Sequence, residues 1–95
     1  MMQIYEFMLM LDRIPDLDTT DRLYGYFNND GAAPTGVQDF TLVIRDGQSA
    51  AVCTVEASSF DDALALVLPQ LRKESLKVVR VELDEQGLAM LQVAV

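Results

Sequence analysis

The spacing of apolar positions switches between a period of two and a period of three to four along the chain, and the switches mark out its elements. In residues 3–12, QIYEFMLMLD, Tyr5, Phe7, Leu9 and Leu11 alternate with Ile4, Glu6, Met8 and Met10, the pattern of a strand. Its second side is also mostly apolar, and Pro15 ends the ladder. Residues 18–28 predict a short helix. Asp18 stands at the N-cap with Asp21 three positions on, Leu17 is placed to staple against the Arg22 stem or Leu23, and Leu23, Tyr26 and Phe27 share a face. Gly25 weakens its interior by roughly 1 kcal/mol relative to alanine. Asn28-Asn29-Asp30-Gly31 supplies the turn-forming residues that stop it.

Residues 38–56 hold two alternating runs, DFTLVIR and QSAAVCTVE, around Asp46-Gly47. A two-residue type I′ turn there sets Arg45 opposite Gln48, Leu42 opposite Ala51 and Phe40 opposite Cys53. One face of this hairpin is then Phe40, Leu42, Ile44, Ala51, Cys53 and Val55, and both strands agree on it. Residues 58–74 form a second helix, opened by the overlapping caps Ser58-x-x-Asp61 and Ser59-x-x-Asp62. Phe60, Ala63, Leu64, Val67, Leu68 and Leu71 make one continuous stripe. Pro69 falls on the opposite, solvent side, where a kink lets the helix curve around a sheet. Residues 76–83, LKVVRVEL, give a last strand with Val79, Val81 and Leu83 on one side and Val78, Arg80 and Glu82 on the other.

The predicted order is β-α-β-β-α-β, within a single domain spanning residues 1–95. It matches an α+β, ferredoxin-like sandwich: a four-stranded antiparallel sheet in the order 4-1-3-2, both helices on one face. Tyr5, Phe7, Leu9, Phe40, Leu42, Cys53, Val55, Val79 and Val81 are expected to face the helices. Residues 86–95 follow as an apolar C-terminal extension.

Composition narrows the chemistry. The 95 residues include no histidine and no tryptophan, so a Ser-His-Asp or Cys-His relay is out of reach and the commonest zinc ligand is missing. Cys53, the single cysteine, lies in an apolar run as a small core residue. Fifteen acids against seven bases give a net charge of −8, which repels phosphate backbones and anionic lipid. No nucleic-acid partner is expected, despite the local cluster Arg72, Lys73, Lys77 and Arg80. The first apolar segment, FMLML, is too short for a membrane span and lacks the features of an export signal. A cytoplasmic location is the expectation.

Candidate chemistry is sparse. Asp12, Asp16, Asp18 and Asp21 crowd the first connection, yet Asp16-x-Asp18 is only a fragment of a cation loop. Caps and turns account for each acid, and no metal or cofactor is expected. Glu6 is the one acid embedded in a strongly apolar strand. The strand order predicts a cross-strand ion pair with Arg80 as its role. There is no phosphate-cradling glycine motif, and no catalytic residue is assigned.

Two resemblances carry further expectations. Tyr5-Glu6-Phe7 with Leu9 and Leu11, then Val78-Val79-Arg80-Val81-Glu82-x-Asp84-Glu85, resembles the N-terminal ferredoxin-like domain of a family of small, poorly characterised bacterial proteins. Those proteins usually continue into a helix-turn-helix segment, which is absent from residues 1–95. The resemblance implies an accessory or oligomerising domain, without DNA binding. Asp84-x-x-Gly87-Leu88 resembles the D-x-x-G-L turn of ACT-type sensors, in which the turn follows the first strand instead. This second resemblance implies a small-molecule-sensing regulatory domain as the alternative function.

The principal expectation rests on the sheet face turned away from the helices. A face left to water is ordinarily polar, whereas this one carries Ile4, Met8, Met10, Val43, Val52 and Val78 among its charges. With Leu88, Met90, Leu91 and Val93 of the extension, these residues form the expected interface of a non-enzymatic interaction or oligomerisation module, most simply a homodimer.

Overall fold

The computed structural model describes residues 2–29 and 36–83. The elements are β1 (Gln3–Leu11), α1 (Leu17–Tyr24) continuing into one π-type turn (Gly25–Asn29), β2 (Val37–Arg45), β3 (Gln48–Ala57), α2 (Phe60–Lys73) and β4 (Val78–Leu83). The fold is α+β, with one four-stranded antiparallel sheet in the order β2-β3-β1-β4, which counted from the other edge is β4-β1-β3-β2.

The hairpin forms as its sequence dictates. Asp46 and Gly47 both take positive φ, 54° and 77°, as a type I′ turn requires. Arg45 pairs with Gln48, Leu42 with Ala51 and Phe40 with Cys53. Near its far end the β2 register shifts between Val37 and Asp39. There Gly36 accepts a hydrogen bond from the Glu56 amide at 2.7 Å. Its φ is +115°, and a Cβ at this position would lie 2.5 Å from the Glu56 carbonyl oxygen.

Tyr5, Phe7, Leu9, Leu11, Phe40, Ala51, Cys53 and Val55 are buried on one side of the sheet against Leu23, Phe27, Ala63, Val67 and Leu71 of the helical layer. Phe60 sits edge-on over Phe7 (5.4 Å between centroids) and tilted against Tyr5 (5.9 Å). Phe27 stacks on Phe40 at 4.3 Å. The α2 stripe behaves as its spacing predicts, with Phe60, Leu64 and Leu68 half-buried around the buried Ala63, Val67 and Leu71. Pro69 lies on the exposed side of α2, so the amide it lacks leaves a carbonyl facing water rather than core.

Three sequence expectations are corrected. Asp16, not Asp18, caps α1: its Oδ1 accepts from the Thr19 amide at 2.8 Å, because Pro15 already holds the chain extended before the cap. Leu17 consequently becomes the first helical residue and stands 76% exposed, so no staple forms. In β4 the register slips between Met10 and Leu11, so that Arg80 opposes Met10 but Val78 opposes Leu11. Val79 is the extra residue of this bulge and is 57% exposed, while Val78 packs against the core. Val81, expected to face the helices, stands opposite Leu9, but at the sheet edge it is 39% exposed.

The end of α2 is a Schellman motif made without glycine. The Leu76 amide donates to the Leu71 carbonyl and the Ser75 amide to that of Arg72, at 3.0 and 2.9 Å. Ser75 pays for this with φ +62°, and the buried Leu76 completes the hydrophobic contact. Ser75→Gly relieves the left-handed strain and is expected to raise unfolding stability by about 0.5–1 kcal/mol. Gly36→Ala is expected to lower it by about 1–3 kcal/mol, through forced positive φ and the collision with Glu56. Urea unfolding of both variants checks the two opposite signs.

Candidate functional site

The face of the sheet opposite the helices is built from levels that cross the strands. Strand register places Val43, Ala50, Met10 and Arg80 on one level, and Thr41, Val52, Met8 and Glu82 on the next. Asp39, Thr54 and Glu6 form a third level, and Glu56 and Ile4 a fourth. The face is therefore an apolar centre with charges around it. Ile4 is 46% exposed, Met8, Val43 and Val52 are half-buried, and Met10 is buried at 4%. The accessible apolar surface belongs to Ile4, Met8, Val43 and Val52.

Arg45 shapes the middle of this face. Its Nη1 lies 3.8 Å from the Met8 sulfur, although Arg45 stands on β2 and Met8 on β1. Its stem must pass across the β3 column between the Gln48 and Val52 levels, where Ala50 sits fully buried. Beside it is a concavity of about 450 Å³, lined among others by Glu6, Met8, Arg45, Val52, Thr54 and Glu82. Among the described residues, the ion pairs are Arg22–Glu74 and Arg80–Glu82. Glu6 and Arg45 are in neither.

The predicted site residues divide three ways. Ile4, Met8, Met10, Val43 and Val52 share the open face. Val78 does not, because the bulge turns it to the helix side. Leu88, Met90, Leu91 and Val93 lie outside the described residues. The expected Glu6–Arg80 pair is replaced: Arg80 donates through Nε (3.0 Å) and Nη2 (2.7 Å) to Glu82 Oε2 on its own strand, since register sets Arg80 beside Met10 rather than Glu6.

Two polar contacts escape a reading by hydrophobic period. The Tyr24 hydroxyl accepts from the Leu42 amide at 2.7 Å, and the Asn28 side-chain amide donates to the Phe40 carbonyl at 3.1 Å. Both cover the outer edge of β2. Their only trace in the sequence is a polar atom on residues that otherwise read as helix-face or turn-forming.

Two acids of the first connection, Asp12 and Asp16, hold backbone amides. Asp12 Oδ1 accepts from the Lys77 amide at 3.1 Å, and the Asp12 amide donates to the Lys77 carbonyl at 2.9 Å. Among the described residues, no three acidic or thiol groups converge as a metal site. Cys53 is buried, and desolvation, with the Asp39 charge adding to it, pushes its thiol up to about 12. The thiolate a nucleophile needs is suppressed there.

No protein-family model matches the chain, and no curated protein is similar to it. No described helix is long and apolar enough to cross a membrane.

Arg22 clamps Glu74 with Nη2 at 2.8 Å and Nε at 3.0 Å, joining α1 to the end of α2. The hydrogen bond from Arg22 holds the Glu74 carboxyl below its ordinary value, and the Thr19 amide does the same for Asp16. Both carboxyls bind protons more readily unfolded than folded. The stability they contribute is present at neutral pH and is lost as pH falls below about 4.5, through their lower folded values. The paired variant Asp16→Asn with Glu74→Gln is expected to be less stable than wild type at pH 7 and to show a shallower loss between pH 5 and pH 2. Urea midpoints across that range check it.

Proposed function

We propose that the chain is a non-enzymatic interaction module, cytoplasmic and ferredoxin-like, that forms a homodimer through the open face of its sheet. The observation that carries this reading is the apolar surface of that face, Met8, Val43 and Val52 at its middle with Ile4 beyond the Glu6 level, on the side both helices leave bare. An antiparallel sheet packed on one side ordinarily turns polar residues outward on the other, and a contiguous apolar patch marks a contact surface. Methionine at its middle suits a surface that must conform to another. The element order, with both helices on the Tyr5–Phe7–Leu9 side, supports the ferredoxin-like description. The resemblance of the first and last strands to an accessory domain of small bacterial proteins points the same way. By composition, the run carrying Leu88, Met90, Leu91 and Val93 supplies further apolar surface to the association.

The concavity beside Arg45 supports a second reading, in which the domain senses a small molecule in the manner of ACT-type regulators. Its volume of about 450 Å³ falls in the range of small-ligand pockets.

Light scattering on the purified chain separates the two. Self-association predicts a mass that rises from monomer to dimer through the micromolar range, and a monomer at high micromolar concentration overturns it. Sensing predicts a thermal shift with one member of a metabolite panel. A ligand at 100 times its Kd adds about 2.7 kcal/mol of stability.

A further inference from the structure

The β1 column of the open face reads, level by level, Ile4, Glu6, Met8, Met10. The Arg45 guanidinium rests against Met8, so along this column a base stands one level from the Glu6 acid. Reversed against itself, this pair is its own complement. Glu6 and Arg45 line one concavity, and neither belongs to an ion pair among the described residues. Successive levels are about 6.6 Å apart along a strand, and sheets packed face to face lie about 10 Å apart, a gap that an arginine and a glutamate span together.

Resting on the self-association reading, we infer that the occupant of this face is a second copy whose β1 runs antiparallel across the first, with Glu6 of each chain paired to Arg45 of the other. The two-fold axis lies between the sheets, perpendicular to β1, at a height between Glu6 and Met8. It sets Glu6 of each copy over the Met8 level of the other, where the Arg45 guanidinium rests, and makes the interface isologous. A two-fold parallel to β1 instead places Glu6 over Glu6 and Arg45 over Arg45, and like charges there oppose association. Charge thus favours the crossing with β1 near antiparallel over the one with β1 near parallel. The face measures about 26 Å by about 14 Å from strand rise and spacing, roughly 700 Å² over both copies and below the standard interface size. The dimer is accordingly a weak one.

The experiment is charge reversal with mixing, read by sedimentation or light scattering on the full chain. Arg45→Glu and Glu6→Arg each place two like-charge contacts in their own homodimer, and each is expected to raise Kd roughly tenfold or more. Mixed together they meet as one native pair and one reversed pair. A heterodimer of about wild-type affinity is expected. A wild-type chain that stays monomeric defeats self-association itself. A wild-type dimer whose two variants fail to rescue each other on mixing, or keep wild-type affinity separately, overturns only the antiparallel orientation. Circular dichroism of each variant guards against misfolding. If Arg45 and Glu6 serve each other within one chain, both variants lose thermal stability and mixing restores nothing, which also overturns the inference.

Discussion

Eight successive residues of β1, from Gln3 to Met10, face partners on β3 without a break in register. The rest of the architecture hangs on this ladder. It brings the first strand to the middle of the sheet, so that each helix must cross over a strand to return to it. Because side chains alternate, the register also decides every face assignment at once, and a slip of one residue would bury Glu6 and expose Phe7. The aromatic contacts make that slip costly: Tyr5 and Phe7 share one face of β1 by alternation, and this register turns that face to Phe60 of α2.

The outer strands are held less uniformly. On the β2 side, the Asp46-Gly47 turn and the Phe40 ring, stacked by Phe27 and met edge-on by Tyr24, fix the pairing to β3. On the β4 side the ladder with β1 is interrupted, and the interruption has a visible function in packing. By admitting Val79 as an extra residue it turns Val78 inward, beside Leu68, Leu71 and Leu76. The chain spends one exposed valine to keep another in the core. The continuous part of that ladder sets Arg80 beside Met10, two levels from Glu6.

These particulars show what a linear pattern conveys. Strands with a period of two were legible, as were the α2 stripe and the turn, because local chemistry dictates each: the hairpin register follows from two residues with positive φ. The open face was legible on β1, β2 and β3 for the same reason. The bulge was not, since LKVVRVEL alternates equally well with or without an extra residue, and only the fit of Val78 beneath α2 selects between them. The Asp16 cap was hidden by Asp18, an equally good cap two residues later. Arg45 was placed opposite Gln48 and no further. Its reach across β3 to Met8 depends on the smallness of Ala50, a relation between strands that no single strand displays.

The polar cover on β2 bears on how far any association could extend. Sheets polymerise by adding strands at their edges, and an unending ladder needs two receptive edges on every molecule. In this chain the outward-facing amide of Leu42 and carbonyl of Phe40 are already engaged by Tyr24 and Asn28, so a strand arriving at β2 finds its hydrogen bonds taken. A further strand added at this stretch of β2 would have to displace Tyr24 and Asn28 before it could extend the ladder.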